Sequence, residues 1–152
     1  MGEFHVTSTN HVGIVVEDLD RFANIMTGLF DYRMVDRGGR DVRKQELLTG
    51  CKGADVEIAY LEGGGFTIEI QCYAKRTPGT KAYKPRVVDV GHWHLSINVE
   101  DLEAIRKRAG SYGLTEEGEE ITVSAGPNKG NKILFLRTPE GVVLELTEKH
   151  KG

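Results

Sequence analysis

The chain has 152 residues, 39% of them hydrophobic and 28% charged, a size and composition that suit one folded domain or two small modules sharing a core. No apolar run approaches membrane-spanning length, and a formal charge of −3 with no basic run of useful length argues against a membrane or nucleic-acid partner. Two cysteines, Cys51 and Cys72, show neither metal nor redox spacing, and Met1 to His5 lacks the features of a secretion signal, so a cytoplasmic location is expected.

The first expected strand begins at His11 and runs to Val16. A helix follows with Asp18 as its N-cap, Asp20 in its first turn, and Leu19, Phe22, Ile25, Met26 and Leu29 at helical spacing. Asp31 to Val35 reads as a short strand. Residues 54–61 and 66–73 read as a hairpin closed around Gly63, Gly64 and Gly65. A polar stretch with Pro78, Gly79 and Pro85 reads as a linker. The order then repeats: a strand from His94 to Val99, a helix capped by Asp101 with an end signal at Gly113, and strands over 120–123, 132–137 and 142–147. The last two join through a turn of Pro139, Glu140 and Gly141.

The repetition extends to single residues. His11, Val16, Asp18 and Leu19 recur at the same spacing as His94, Val99, Asp101 and Leu102. Each half later places a glutamate between apolar strand residues: Glu69 between Ile68 and Ile70, and Glu145 between Leu144 and Leu146. The expected fold is therefore α+β, a single domain of two βαβββ modules. The modules cover about 9–74 and 90–148, joined by a linker over about 75–89, and form a curved mixed sheet around a cleft.

Strand side chains alternate between faces. The rows Phe66, Ile68, Ile70 and Val142, Leu144, Leu146 can pack on the helices, leaving Glu69 and Glu145 on the opposite, concave side. His11 and His94 head strands of the same sheets, so two His and two Glu are expected to share one metal site. Imidazole suits Zn, Ni, Co or Fe, and carboxylate oxygen moves the preference toward Mn. Taken singly, each of these residues also reads as an ordinary strand residue on a half-exposed sheet.

With these motifs, and with Ala125 to Gly130 followed by Thr138 to Gly141, the chain resembles the vicinal oxygen chelate superfamily over about residues 9–148. That superfamily includes glyoxalase I, methylmalonyl-CoA epimerase, fosfomycin-resistance proteins, bleomycin-resistance proteins and extradiol dioxygenases. The resemblance implies a divalent metal held by His11, Glu69, His94 and Glu145, with open positions for a substrate whose neighbouring oxygens chelate it. A carboxylate at position 69 favours the four-ligand members, glyoxalase I and the epimerase, over the three-ligand dioxygenases. The implied activity is a lyase or isomerase that moves a proton next to a carbonyl. The alternatives are an Fe(II) extradiol dioxygenase and a non-enzymatic binding or resistance protein.

Glu145 is expected to act as base as well as ligand, and Glu57 is a second candidate base if its row faces the cleft; its plainer reading is a solvated or salt-bridged residue. His92 shares a face with His94 and is expected to touch substrate or support the ligand histidine. Tyr73 ends the Glu69 strand at the rim. Arg33, Arg37, Arg40 and Arg43 form a basic stretch placed to attract a CoA thioester or glutathione adduct, or else a solvated loop. Resemblance to members that complete the cleft across subunits implies a homodimer.

Overall fold

The computed structural model describes residues 5–151, so the reading made over Met1 to Phe4 lies outside the described residues. Strand β1 (Val12–Val15) leads into helix α1 (Leu19–Leu29), then β2 (Arg33–Gly39), α2 (Val42–Thr49), β3 (Glu57–Gly63) and β4 (Phe66–Cys72). The second half holds β5 (His94–Val99), α3 (Leu102–Ala109), a 3-10 turn (Gly110–Tyr112), β6 (Thr115–Glu116), β7 (Ile121–Thr122), β8 (Lys132–Arg137) and β9 (Val143–Glu148). The expected α+β fold is present, as two mixed sheets rather than one continuous sheet. The first has the order β1-β4-β3-β2; the second has β5-β9-β8-β6, with β7 also pairing with β8. In each, the first strand lies parallel to the last, β1 on β4 and β5 on β9, while the remaining pairs are antiparallel.

The helices start where local chemistry predicts. Asp18 and Asp101 have extended backbones, and their carboxylates accept from the amides of Arg21 and Ala104, satisfying donors at each helix's first turn. The apolar stripe of α1 buries Leu19, Phe22, Ile25, Met26 and Leu29. Ile68 and Ile70 of β4 and Leu61 of β3 are fully buried in the same cluster, as are Leu134, Leu136, Leu144 and Leu146 with Leu102 of α3 in the second half. Burial of each such side chain stabilises by about 1.5–3 kcal/mol. The two halves share one core, stitched by Arg21, whose Nε donates to Glu140 at 2.7 Å, and by Arg108, which donates to the Gly28 carbonyl at 2.9 Å.

Three elements depart from expectation. Strand β2 runs to Gly39 rather than ending at Val35, with a register shift between Met34 and Asp36. Helix α2 was not foreseen: it buries Gln45 while Leu47 and Leu48 are about four-fifths exposed, so its apolar residues do not trace a core-facing stripe. Strand β6 is a further short addition. Cys72 is buried and Cys51 exposed. No helix among the described residues is long and apolar enough to cross a membrane.

Candidate metal centre

Backbone register fixes which side chains share a face. Gly63 pairs with Phe66, and Gly64 and Gly65 between them take positive φ values of 58° and 75°, the conformation a two-residue hairpin turn needs. That turn sets Tyr60 opposite Glu69, while β1 sets Gly13 opposite Glu69 on the other side. Glu69 therefore stands on the open face of the first sheet between Tyr60 and the start of β1. Its side chain is only 8% exposed, and its oxygens are held by the Tyr60 hydroxyl and the Gln71 amide. The Tyr73 hydroxyl donates to Gln71 at 3.2 Å and accepts from Gln45 of α2 at 2.7 Å, so a relay of polar groups positions the carboxylate. The hydrogen bond to Glu69 holds the Tyr60 phenol above its ordinary pKa, with burial adding to the shift.

His11 lies immediately before β1, with Nε2 3.8 Å from Oε2 of Glu69. Its Nδ1 is 2.5 Å from the side-chain oxygen of Asn10. With Nδ1 donating there, Nε2 is left to point a lone pair toward the carboxylate, the arrangement of a ligating histidine.

The second sheet repeats the pair. His94 opens β5, Ser96 lies opposite Glu145, and Phe135 flanks Glu145 from β8. His94 Nε2 is 3.4 Å from Oε2 of Glu145, and the Ser96 hydroxyl donates to Oε1 at 2.7 Å. The His94 ring rests against Phe135, with centroids 5.1 Å apart. Two donors bound to one ion at about 2.0–2.2 Å lie about 3 Å apart when they subtend a right angle. Separations of 3.4 and 3.8 Å are near that value, so both pairs fit a divalent cation.

Among the described residues, no three His, Cys, Asp or Glu side chains form one metal-holding group. The ligand candidates stand as two half-sites, because each His and Glu is positioned by its own sheet and the sheets do not share a strand.

Glu57 does not join either pair. Its strand neighbours Ala59 and Leu61 are fully buried against the core, so the condition that its row face the cleft is not met, and Tyr60 occupies the open face. Glu57 instead accepts from Arg37 at 2.8 Å, and Arg37 reaches Asp20 of α1 at 2.5 Å. The guanidinium keeps the Glu57 carboxyl below the usual carboxylate range. Arg33 is also occupied, by Glu62. Arg43 is exposed on α2 and enters no hydrogen bond or ion pair recorded among the described residues, so the structure gives it no link to either half-site.

His92 and Tyr73 both line a cavity beside β1, and the His92 ring lies 6.1 Å from that of His94. Tyr60 and Gln71, which hold Glu69, and Ser96, which holds Glu145, are neighbours that the sequence reading missed. The glycine turn could have placed Tyr60, since it fixes the hairpin register; Ser96 could have been found two residues after His94, where Gly13 follows His11.

Comparisons with known proteins agree with this architecture. The family described as Glyoxalase/Bleomycin resistance protein/Dioxygenase superfamily matches residues 10–135. A curated relative, the 2-epi-5-epi-valiolone epimerase of an Actinomyces species, is 28% identical over 150 residues, covering 95% of this chain and 81% of that one. A glyoxalase family protein from Bacillus cereus superposes with a TM-score of 0.79 at 24% identity, over 98% of each chain. The fosfomycin resistance protein FosX from Listeria monocytogenes, in complex with Mn(II) and sulfate, has a TM-score of 0.64 at 11% identity, covering 97% of this chain and 96% of that one.

Proposed function

The chain belongs to the glyoxalase/bleomycin resistance protein/dioxygenase superfamily, and from that premise we propose that it is a metal-dependent isomerase, an epimerase moving a proton on a carbon beside a carbonyl. The observation that carries this reading is the pair of His–Glu half-sites at equivalent positions on two open sheet faces. His11, Glu69, His94 and Glu145 would hold one divalent ion of the Zn, Ni, Co, Mn or Fe group. When bound, the ion would polarise a substrate carbonyl and acidify the neighbouring C–H.

The two glutamates are held differently, and this suggests their roles. Both oxygens of Glu69 accept from protein donors, so it serves as a fixed ligand. Glu145 is anchored only through Oε1, and its side chain is 19% exposed, leaving Oε2 beside His94 to take and return a proton. His94 orients that oxygen and is itself braced by Phe135. Because the half-sites stand apart in one chain, the full set is proposed to form in a homodimer, with His11 and Glu69 of one protomer meeting His94 and Glu145 of its partner.

The curated relative named as an epimerase supports epimerisation over isomerisation of a glutathione adduct. On this reading, 2-epi-5-epi-valiolone is the first substrate to test and a CoA thioester the second. Incubation of metal-loaded protein with each compound in D2O, followed by proton NMR, should show deuterium entering beside the carbonyl. Absence of exchange with both would contradict the reading.

A further inference from the structure

A row of side chains crosses the open face of the first sheet and ends at a cation. Register sets Glu69 of β4 opposite Tyr60 of β3, and Tyr60 opposite Asp36 of β2, so all three share that face. Arg40, just after β2, folds back over the same face. Gly38 pairs with Ile58, two residues before Tyr60, and a Cβ at Gly38 would lie 3.6 Å from Nη1 of Arg40. The guanidinium therefore fills the space left by the missing side chain at Gly38, on the side that carries Tyr60 and Glu69.

Its orientation is fixed by backbone. The Arg40 amide donates to the Val56 carbonyl at 3.3 Å, and Nη1 donates to the carbonyls of Gly38 and Gly39 at 3.3 and 3.1 Å. Nε and Nη2 are left over. Nη2 lies 3.6 Å from Oδ2 of Asp36, beyond hydrogen-bond length, and the Asp36 side chain is 61% exposed, so this pair contributes little. The other ion pair on this face, Arg33 with Glu62, is closed on itself at 3.1 Å. A bound divalent ion would take up the charge of Glu69. Arg40 is then the cation of this face with donors to spare, and its planar fork matches a carboxylate. Two strand spacings, about 10 Å, separate β2 from β4, a span that a small molecule bridges. Building on the metal reading above, we propose that Arg40 is a specificity-determining residue that binds a carboxylate of the substrate, a few bonds from the carbonyl held by the ion. A neutral ketone would leave these donors empty.

Two probes with the same chelating end test this. Both 2-oxoglutarate and 2-oxovalerate offer neighbouring oxygens to a metal, and only the first carries a distal carboxylate. Calorimetric titration of the full chain loaded with Mn(II) should show 2-oxoglutarate binding about 10- to 100-fold more tightly, the scale of a charge-assisted contact. Arg40→Gln should erase that preference while leaving 2-oxovalerate binding unchanged. Asp36→Asn removes the competing carboxylate and should enlarge the preference. Arg43→Gln, on α2 without a link to either half-site, should keep it. Equal affinities in the wild type, a preference that survives in Arg40→Gln, or one that is lost in Arg43→Gln overturns the inference. Should Arg40→Gln fail to fold, a preference not enlarged in Asp36→Asn overturns it. Mn(II) uptake, measured on the same samples, separates the two readings. A loaded chain without preference sinks the role of Arg40 alone, whereas a chain that takes up no Mn(II) sinks the metal reading and this inference with it.

Discussion

The Ser96 hydroxyl donates to Oε1 of Glu145 at 2.7 Å, fixing one carboxylate oxygen and turning the other toward His94. Glu145→Gln should therefore remove turnover, by at least about 10²-fold, the usual scale for loss of a positioned base. Circular dichroism and thermal melting should remain close to wild type, since the side chain is outside the core. Ser96→Ala should give a smaller loss, roughly tenfold, because the carboxylate is freed rather than removed. Equal losses in the two variants would speak against this division of roles.

Tyr60 should matter through Glu69. Tyr60→Phe removes the hydroxyl that holds one carboxylate oxygen while preserving the ring that meets His11 edge-on at 5.8 Å. Metal affinity is expected to fall roughly 10- to 100-fold, as for other residues that orient a ligand. Calorimetric titration with Mn(II) or Co(II) reads this directly.

Glu57 should be dispensable for chemistry and useful for stability. Glu57→Gln is expected to keep wild-type turnover while costing about 1 kcal/mol at neutral pH, a partly exposed ion pair's worth. Arg37 depresses the folded-state pKa of Glu57 below its ordinary 4.5. The stabilisation is thus present above that value and is lost as pH falls through the lower folded pKa. Urea melts of both proteins at pH 7 and pH 3 should show the gap closing at the acid end.

Assembly of half-sites across a dimer makes a further prediction. His11→Ala and His94→Ala proteins, each inactive alone, should regain up to about a quarter of wild-type activity when co-folded as a mixed dimer, because random pairing gives half mixed dimers with one intact site of two. No recovery would mean that each chain supplies its own four residues.

Much of this was legible in the sequence because the same physics was written twice. Helix caps Asp18 and Asp101, the alternating rows around Glu69 and Glu145, and the heading histidines are local signals, and all emerge where expected. The role of Glu57 stayed open in the sequence because alternation gives two rows but not which one faces the core; the burial of Ala59 and Leu61 decides that, and Glu57 takes its plainer reading as a partner of Arg37. Helix α2 escaped because Leu47 and Leu48 are exposed and Gln45 is buried, the reverse of a hydrophobic stripe, although Asp41 as N-cap and Gly50 at φ 69° marked its ends. How the two His–Glu pairs stand relative to each other depends on how the two sheets meet, which no strand-level pattern encodes.

The central claim is that His11, Glu69, His94 and Glu145 hold one divalent ion, and metal binding to purified protein tests it most directly. Elemental analysis after equilibration with Mn(II) or Co(II) and dialysis should find one ion per chain in the wild type. Alanine at any one of the four positions should lower affinity by about 10²-fold or more, since each removes a bond to the ion. Undiminished binding in His11→Ala or His94→Ala, or a wild-type chain that takes up no metal, would contradict the account.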